Sequence, residues 1–133
     1  MRLRFLQGPR RKLALLAMMA AIVVTSFVAF APTAFAADFY VFTGNDSGGF
    51  IAYGEKLNAC DMTKDGYRVL VYYWRADTNT TGVLIDANGA GSGSCTHRDL
   101  SIPEGESVGL KVCRQNGPSG PIFSCSAWKY GSA

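Results

Sequence analysis

The pattern of hydrophobic and polar positions is dominated by Asp65 to Arg75, the longest run of strand-forming residues in the chain, where Asp-Gly-Tyr-Arg-Val-Leu-Val-Tyr-Tyr-Trp-Arg predicts a central β-strand. Its odd positions, Tyr67, Val69, Val71 and Tyr73, make an apolar face that belongs to the core. Its even positions, Arg68, Leu70, Tyr72 and Trp74, are aromatic with a charged fringe and must either lie under another segment or face outward as a patch. Around this strand the same period predicts others over Asp38–Thr43, Phe50–Tyr53, Glu55–Asp61, Val83–Ile85, Ser107–Arg114 and Pro121–Trp128. Val108, Leu110 and Val112 point inward in the fifth of these, and Cys95–Ile102 reads as irregular or edge-like.

Turn chemistry separates these runs. Gly44-Asn-Asp-Ser-Gly-Gly49 ends the first strand, Asp77–Gly82 is a polar loop, Asp86–Ser94 is a glycine-serine loop with the composition of a mobile segment, and Pro103-Glu-Gly-Glu106 is a turn. Seven or eight short strands with no helical period after Ala36 predict an all-β fold, a small antiparallel β-sandwich of immunoglobulin-like kind.

The front of the chain follows a different pattern. Arg2, Arg4, Arg10, Arg11 and Lys12 precede an apolar stretch from Leu13 to Ala31, and Ala34-Phe35-Ala36 offers a small-residue cleavage site. Residues 1–36 therefore read as a signal-peptide helix, cleaved after Ala36, and residues 37–133 as a single secreted, extracellular β-sandwich domain. An uncleaved anchor is the competing reading, and Pro32 ahead of the Ala-x-Ala site argues for removal.

Removing the leader changes the charge. Five of the 13 Lys and Arg residues lie in it, so the remaining 97 residues carry 8 basic and 10 acidic residues, a net of −2. The basic balance of the whole chain is a targeting signal, and the mature part offers no basic stripe for nucleic acid and no stretch that needs a membrane after cleavage. A monomer or weak dimer is expected.

Cys60, Cys95, Cys113 and Cys125 all lie in the mature part, and an even count in a small secreted chain reads as two disulfides. Of the three pairings, Cys60 with Cys95 and Cys113 with Cys125 is favoured, because the turn-rich Asn116–Gly120 segment brings the second pair together. A four-cysteine zinc site lacks a close Cys-x-x-Cys pair.

Catalytic chemistry has few candidates. His97 lies near Asp99 and several serines, but no Gly-x-Ser-x-Gly elbow accompanies it. Asp86-x-Asn88-Gly89 resembles the start of a calcium loop without its later ligands. No cofactor, metal ligand set or catalytic residue is assigned, and the expectation is a non-enzymatic extracellular binding or interaction module whose partner is an extracellular protein or glycan. Arg68, Tyr72, Trp74 and Arg75 are the candidate binding residues, because Tyr, Trp and Arg contribute most at contact surfaces.

Phe50-Ile-Ala-Tyr-Gly-Glu55, Asp61-Met-Thr-Lys-Asp-Gly-Tyr67, Leu100-Ser-Ile-Pro-Glu-Gly105 and the late cysteine pair resemble small secreted actinobacterial four-cysteine β-domain proteins of unknown function. That resemblance implies a compact disulfide-linked β domain and carries no activity with it. Tyr73-Trp74-Arg75 also resembles the Trp-Arg-Tyr element of tendamistat-type α-amylase inhibitors, although Ala76 stands where the final Tyr is expected and the cysteine spacing differs. It implies an alternative function, inhibition of an extracellular glycosidase or protease.

Overall fold

The computed structural model describes residues 36–90 and 95–133, so the predicted leader apart from Ala36 and most of the tip of the glycine-serine loop lie outside the described residues. Nine strands follow in chain order: β1 (Phe39–Thr43), β2 (Asp46–Ile51), β3 (Lys56–Cys60), β4 (Arg68–Arg75), β5 (Thr80–Asp86), β6 (Thr96–Asp99), β7 (Ser107–Gln115), β8 (Ile122–Phe123) and β9 (Lys129–Ser132). They form an all-β sandwich of two antiparallel sheets. One runs β1-β2-β3-β6, and the other runs β5-β4-β7 with β8 and β9 both paired to β7.

Between the sheets lies one apolar core. Phe39, Val41, Phe50, Leu57 and Ala59 come from the four-stranded sheet, Val69, Val71, Leu84, Val108, Leu110 and Val112 from the five-stranded one, and Leu100 and Ile102 from the connection after β6. The odd face of β4 thus turns inward at Val69 and Val71, with Tyr73 packed at the core margin. Tyr67 does not join it. The chain reaches β4 from Gly66 at φ +78°, the Asp65 carboxylate takes the Tyr67 N–H, and the Tyr67 ring stands edge-on to Phe123 at 4.8 Å instead.

Three strand boundaries differ from the sequence reading. The glycines read as ending β1 are part of β2: a Cβ on Gly48 would meet both Val71 methyls at 2.8 Å, and one on Gly49 would meet the Tyr40 ring at 2.6 Å. Glycine here admits a close neighbour, which is the other use of a residue that commonly marks turns. On the other sheet, β5 begins at Thr80, so the polar loop after β4 is shorter than the sequence suggested. The predicted Pro121–Trp128 strand is broken, because Ser124 takes φ +50° and the chain arches away from β7 before β9 resumes the pairing.

Both expected disulfides form. Cys60–Cys95 joins the end of β3 to the approach to its neighbour β6, and Cys113–Cys125 fastens the arch to β7. Loop-closure entropy puts their contributions at about 4 and about 3 kcal/mol. Two bridges also match an oxidising compartment.

A charged pair crosses the core end. Arg114 shares its face of the sheet with Val69, and its Nε donates to Asp46 Oδ2 of β2 at 2.6 Å. Asp46 Oδ1 accepts from Met62 N and from Thr63 Oγ1. Burial alone works to raise the Asp46 pKa, but these hydrogen bonds and the guanidinium charge outweigh it and hold the carboxyl below its ordinary range.

Candidate functional site

The outer face of the five-stranded sheet, opposite the core, carries the even positions of β4. Register sets them in rows. Ile85, Leu70 and Cys113 make the first, Val83, Tyr72 and Lys111 the second, and Thr81, Trp74, Gly109 and Tyr130 the third. Leu70 and Cys113 are buried, so the first row is a covered one; the second and third stay partly open.

The third row makes a notch. Trp74 meets Tyr130 edge-on with ring centroids 6.2 Å apart, and Trp128 lies nearly parallel to Tyr130, tilted by 20° at 6.3 Å. Gly109 lies between the two ring-bearing strands without a side chain, and a Cβ there would meet Tyr130 at 2.7 Å. The resulting cavity of about 230 Å³ is lined by Trp74, Thr81, Trp128 and Tyr130. Lys111 of the second row places its ammonium 5.3 Å from the Tyr72 centroid and 5.4 Å from that of Trp128. The cation is attracted to the ring faces and pins two aromatics around one charge.

The arch after β8 is what delivers Trp128. Ser126 N donates to Val112 O, the Ser126 hydroxyl accepts from Val112 N, and the disulfide at Cys125 holds the segment against β7. From there β9 pairs Lys129 through Ser132 with Leu110 through Ser107, which sets Tyr130 on the outer face. Trp128 is 37% exposed and Tyr130 62%.

Of the residues singled out from sequence, Tyr72 and Trp74 are brought together here and Arg68 and Arg75 are not. Arg75 is held bidentately by Asp77, at 2.8 and 2.6 Å, and also donates to Leu100 O. The guanidinium hydrogen bond keeps the Asp77 carboxyl below its ordinary range. Arg68 donates twice to Gln115 Oε1 and once to Pro118 O. Both arginines fasten loops to strand ends. Trp128, Tyr130, Lys111 and Gly109 were missed, and the available signal was the Trp128-x-Tyr130 spacing, which puts both rings on one face if the last strand runs past Trp128.

A larger depression of about 640 Å³ lies around Asp61, Arg68 and Asn88. Asp61 is the notable group in it: its Oδ2 has no hydrogen-bond partner among the described residues, and burial, with Asp46, Asp65 and Asp86 nearby, pushes its pKa up. Asp86, suggested as a calcium-loop start, instead accepts from Asp61 N, Asn88 N and Thr96 Oγ1. No cluster of three or more His, Cys, Asp or Glu arranged to hold a metal occurs among the described residues. His97 pairs its Nδ1 with Asn58 Oδ1, while Asp99 takes the Ser101 N–H, so these side chains bond to other partners than each other.

No family model, curated protein or solved structure matches this chain.

Proposed function

We propose that this chain is a secreted, non-enzymatic binding module that engages an extracellular partner through the aromatic face of its five-stranded sheet. The observation that carries the reading is the cluster of Trp74, Tyr130 and Trp128, joined to Tyr72 through Lys111, with Trp128 and Tyr130 exposed. Aromatic rings on a rigid sheet present large area with few rotamers to freeze, which makes them the residues that dominate contact energies. Nothing in the packing of the domain calls for them, since the core closes on the opposite face. The two disulfides and the N-terminal sequence support an extracellular setting.

The test is comparative capture. Immobilised wild-type protein and a Trp128→Ala/Tyr130→Ala variant are exposed to culture supernatant and cell-envelope extract, with Tyr53→Ala, a change at a 95% exposed ring outside the notch, as control. The reading predicts a component retained by wild type and Tyr53→Ala and lost from the double variant. A retained component that ignores the double substitution contradicts it. If that component is a glycosidase or protease, its activity in the complex separates inhibition from plain binding.

A further inference from the structure

We infer that the notch of Trp74, Thr81, Trp128 and Tyr130 takes a proline-rich, extended segment of a partner protein; the inference rests on reading the aromatic face as the contact surface. Shape is the first argument. Two nearly parallel rings and a third set at 78° form plates and a wall, and glycine at 109 lets the Tyr130 ring lie close over the strand between them. At about 230 Å³ the notch is below the roughly 300–1,000 Å³ of pockets for drug-sized ligands, and it suits one or two small flat rings entering from a longer chain.

Hydrogen-bonding capacity is the second and more selective argument. Trp74 Nε1 donates to Asn79 Oδ1 at 3.1 Å, which engages that amide's acceptor and leaves its NH₂ donors. The Trp128 indole N–H can only donate, and so can the Lys111 ammonium. Lys111 sits beside the notch through its contact with the Trp128 ring, and no side chain lining the notch carries a carboxylate or amide. Only the Thr81 and Tyr130 hydroxyls can also accept.

A ligand that fits must therefore present acceptors and an apolar body while needing few acceptors in return. Consecutive prolines meet this description: each has a carbonyl and a compact ring and lacks an N–H. They also hold the polyproline II conformation before binding, so little ordering is lost on the aromatic plates. Saccharide hydroxyls fit less well, because each is both donor and acceptor and would find few acceptors here.

Trp74 and Trp128 are the two tryptophans of the chain and both line the notch, so tryptophan emission, excited selectively over the six tyrosines, reports on this site. Capped decaproline titrated into the purified protein is expected to give a saturable emission change, with a capped Gly-Ser decapeptide giving none. Tyr130→Ala should weaken the decaproline response by about tenfold or more, as loss of a central contact does, and Tyr53→Ala should leave it unchanged. Circular dichroism of each variant checks that the sheets are intact. A decaproline response that is absent up to millimolar peptide, or that survives Tyr130→Ala in a folded variant, overturns the assignment. Saturable binding of cellohexaose without decaproline binding also overturns it while leaving the contact-surface reading standing. That broader reading fails only if partner capture ignores the Trp128→Ala/Tyr130→Ala change.

Discussion

Trp74 and Tyr130 meet edge-on at 6.2 Å across a strand that offers them only Gly109. The two rings come from β4 and β9, and Tyr130 can lean over the strand between them because that strand carries no side chain at this row. Replacing Gly109 by alanine tests this directly. The added Cβ would come within 2.7 Å of the Tyr130 ring and 3.4 Å of Trp128. Both rings are partly exposed and can swing, and strand propensity favours alanine over glycine, so stability should change by less than about 1 kcal/mol. The notch should close, and partner binding should fall about tenfold or more with the melting temperature nearly constant.

The Asp46–Arg114 pair supports the sandwich where its two sheets meet, with Asp46 only 1% exposed. Arg114→Met leaves that carboxylate buried beside an apolar side chain and should cost about 3–5 kcal/mol in chemical denaturation. Adding Asp46→Asn to the same protein should recover most of the loss, because the uncompensated charge, rather than the missing contact, is the larger cost.

Two carboxylates on this side of the domain respond to pH with opposite sign. Asp46 has a lowered folded pKa, so its contribution is present above the ordinary value of 3.8 and is lost as pH falls through the folded value. Asp61 has a raised folded pKa; the stability it allows is present below 3.8 and is lost as pH rises through the folded value. Asp61→Asn should therefore raise the melting temperature at pH 7 and give no gain at pH 3. Thermal melts of wild type and variant across that range check it, and an equal gain at both ends would contradict the assignment of the cost to the charge.

The Cys113–Cys125 bridge holds the arch that delivers Trp128. A Cys113→Ser/Cys125→Ser variant should lose about 3 kcal/mol of stability and, because the arch then loosens, a larger share of partner affinity than the melting shift implies. Removing Cys60–Cys95, a bridge on the other sheet, should cost about 4 kcal/mol and leave the affinity of the remaining folded protein intact.

Much of this architecture is legible in the sequence. Val69, Val71, Val108, Leu110 and Val112 alternate strongly enough to identify β4 and β7, and the turn residues of 116–120 bring Cys113 to Cys125. Glycine was the weak point. Gly48 and Gly49 read as a turn because the same residue serves tight turns and close approaches, and only the opposing Val71 and Tyr40 decide which. β9 was hidden because Lys-Tyr-Gly-Ser has no apolar alternation, and its pairing is set by β7 rather than by its own composition. For the candidate site, Tyr72 and Trp74 were visible from strand period. The arginines beside them are paired within the domain: Asp77, two residues after Arg75, was a local sign of that pairing, whereas the long-range Gln115 and Pro118 partners of Arg68 left none.

If the aromatic face makes the contact, titration calorimetry of the captured partner will separate three folded proteins. Wild type and Tyr53→Ala should bind with the same affinity, and Trp128→Ala should bind at least about a hundredfold more weakly, as removal of a contact-centre tryptophan does. Equal affinity for all three would contradict the account.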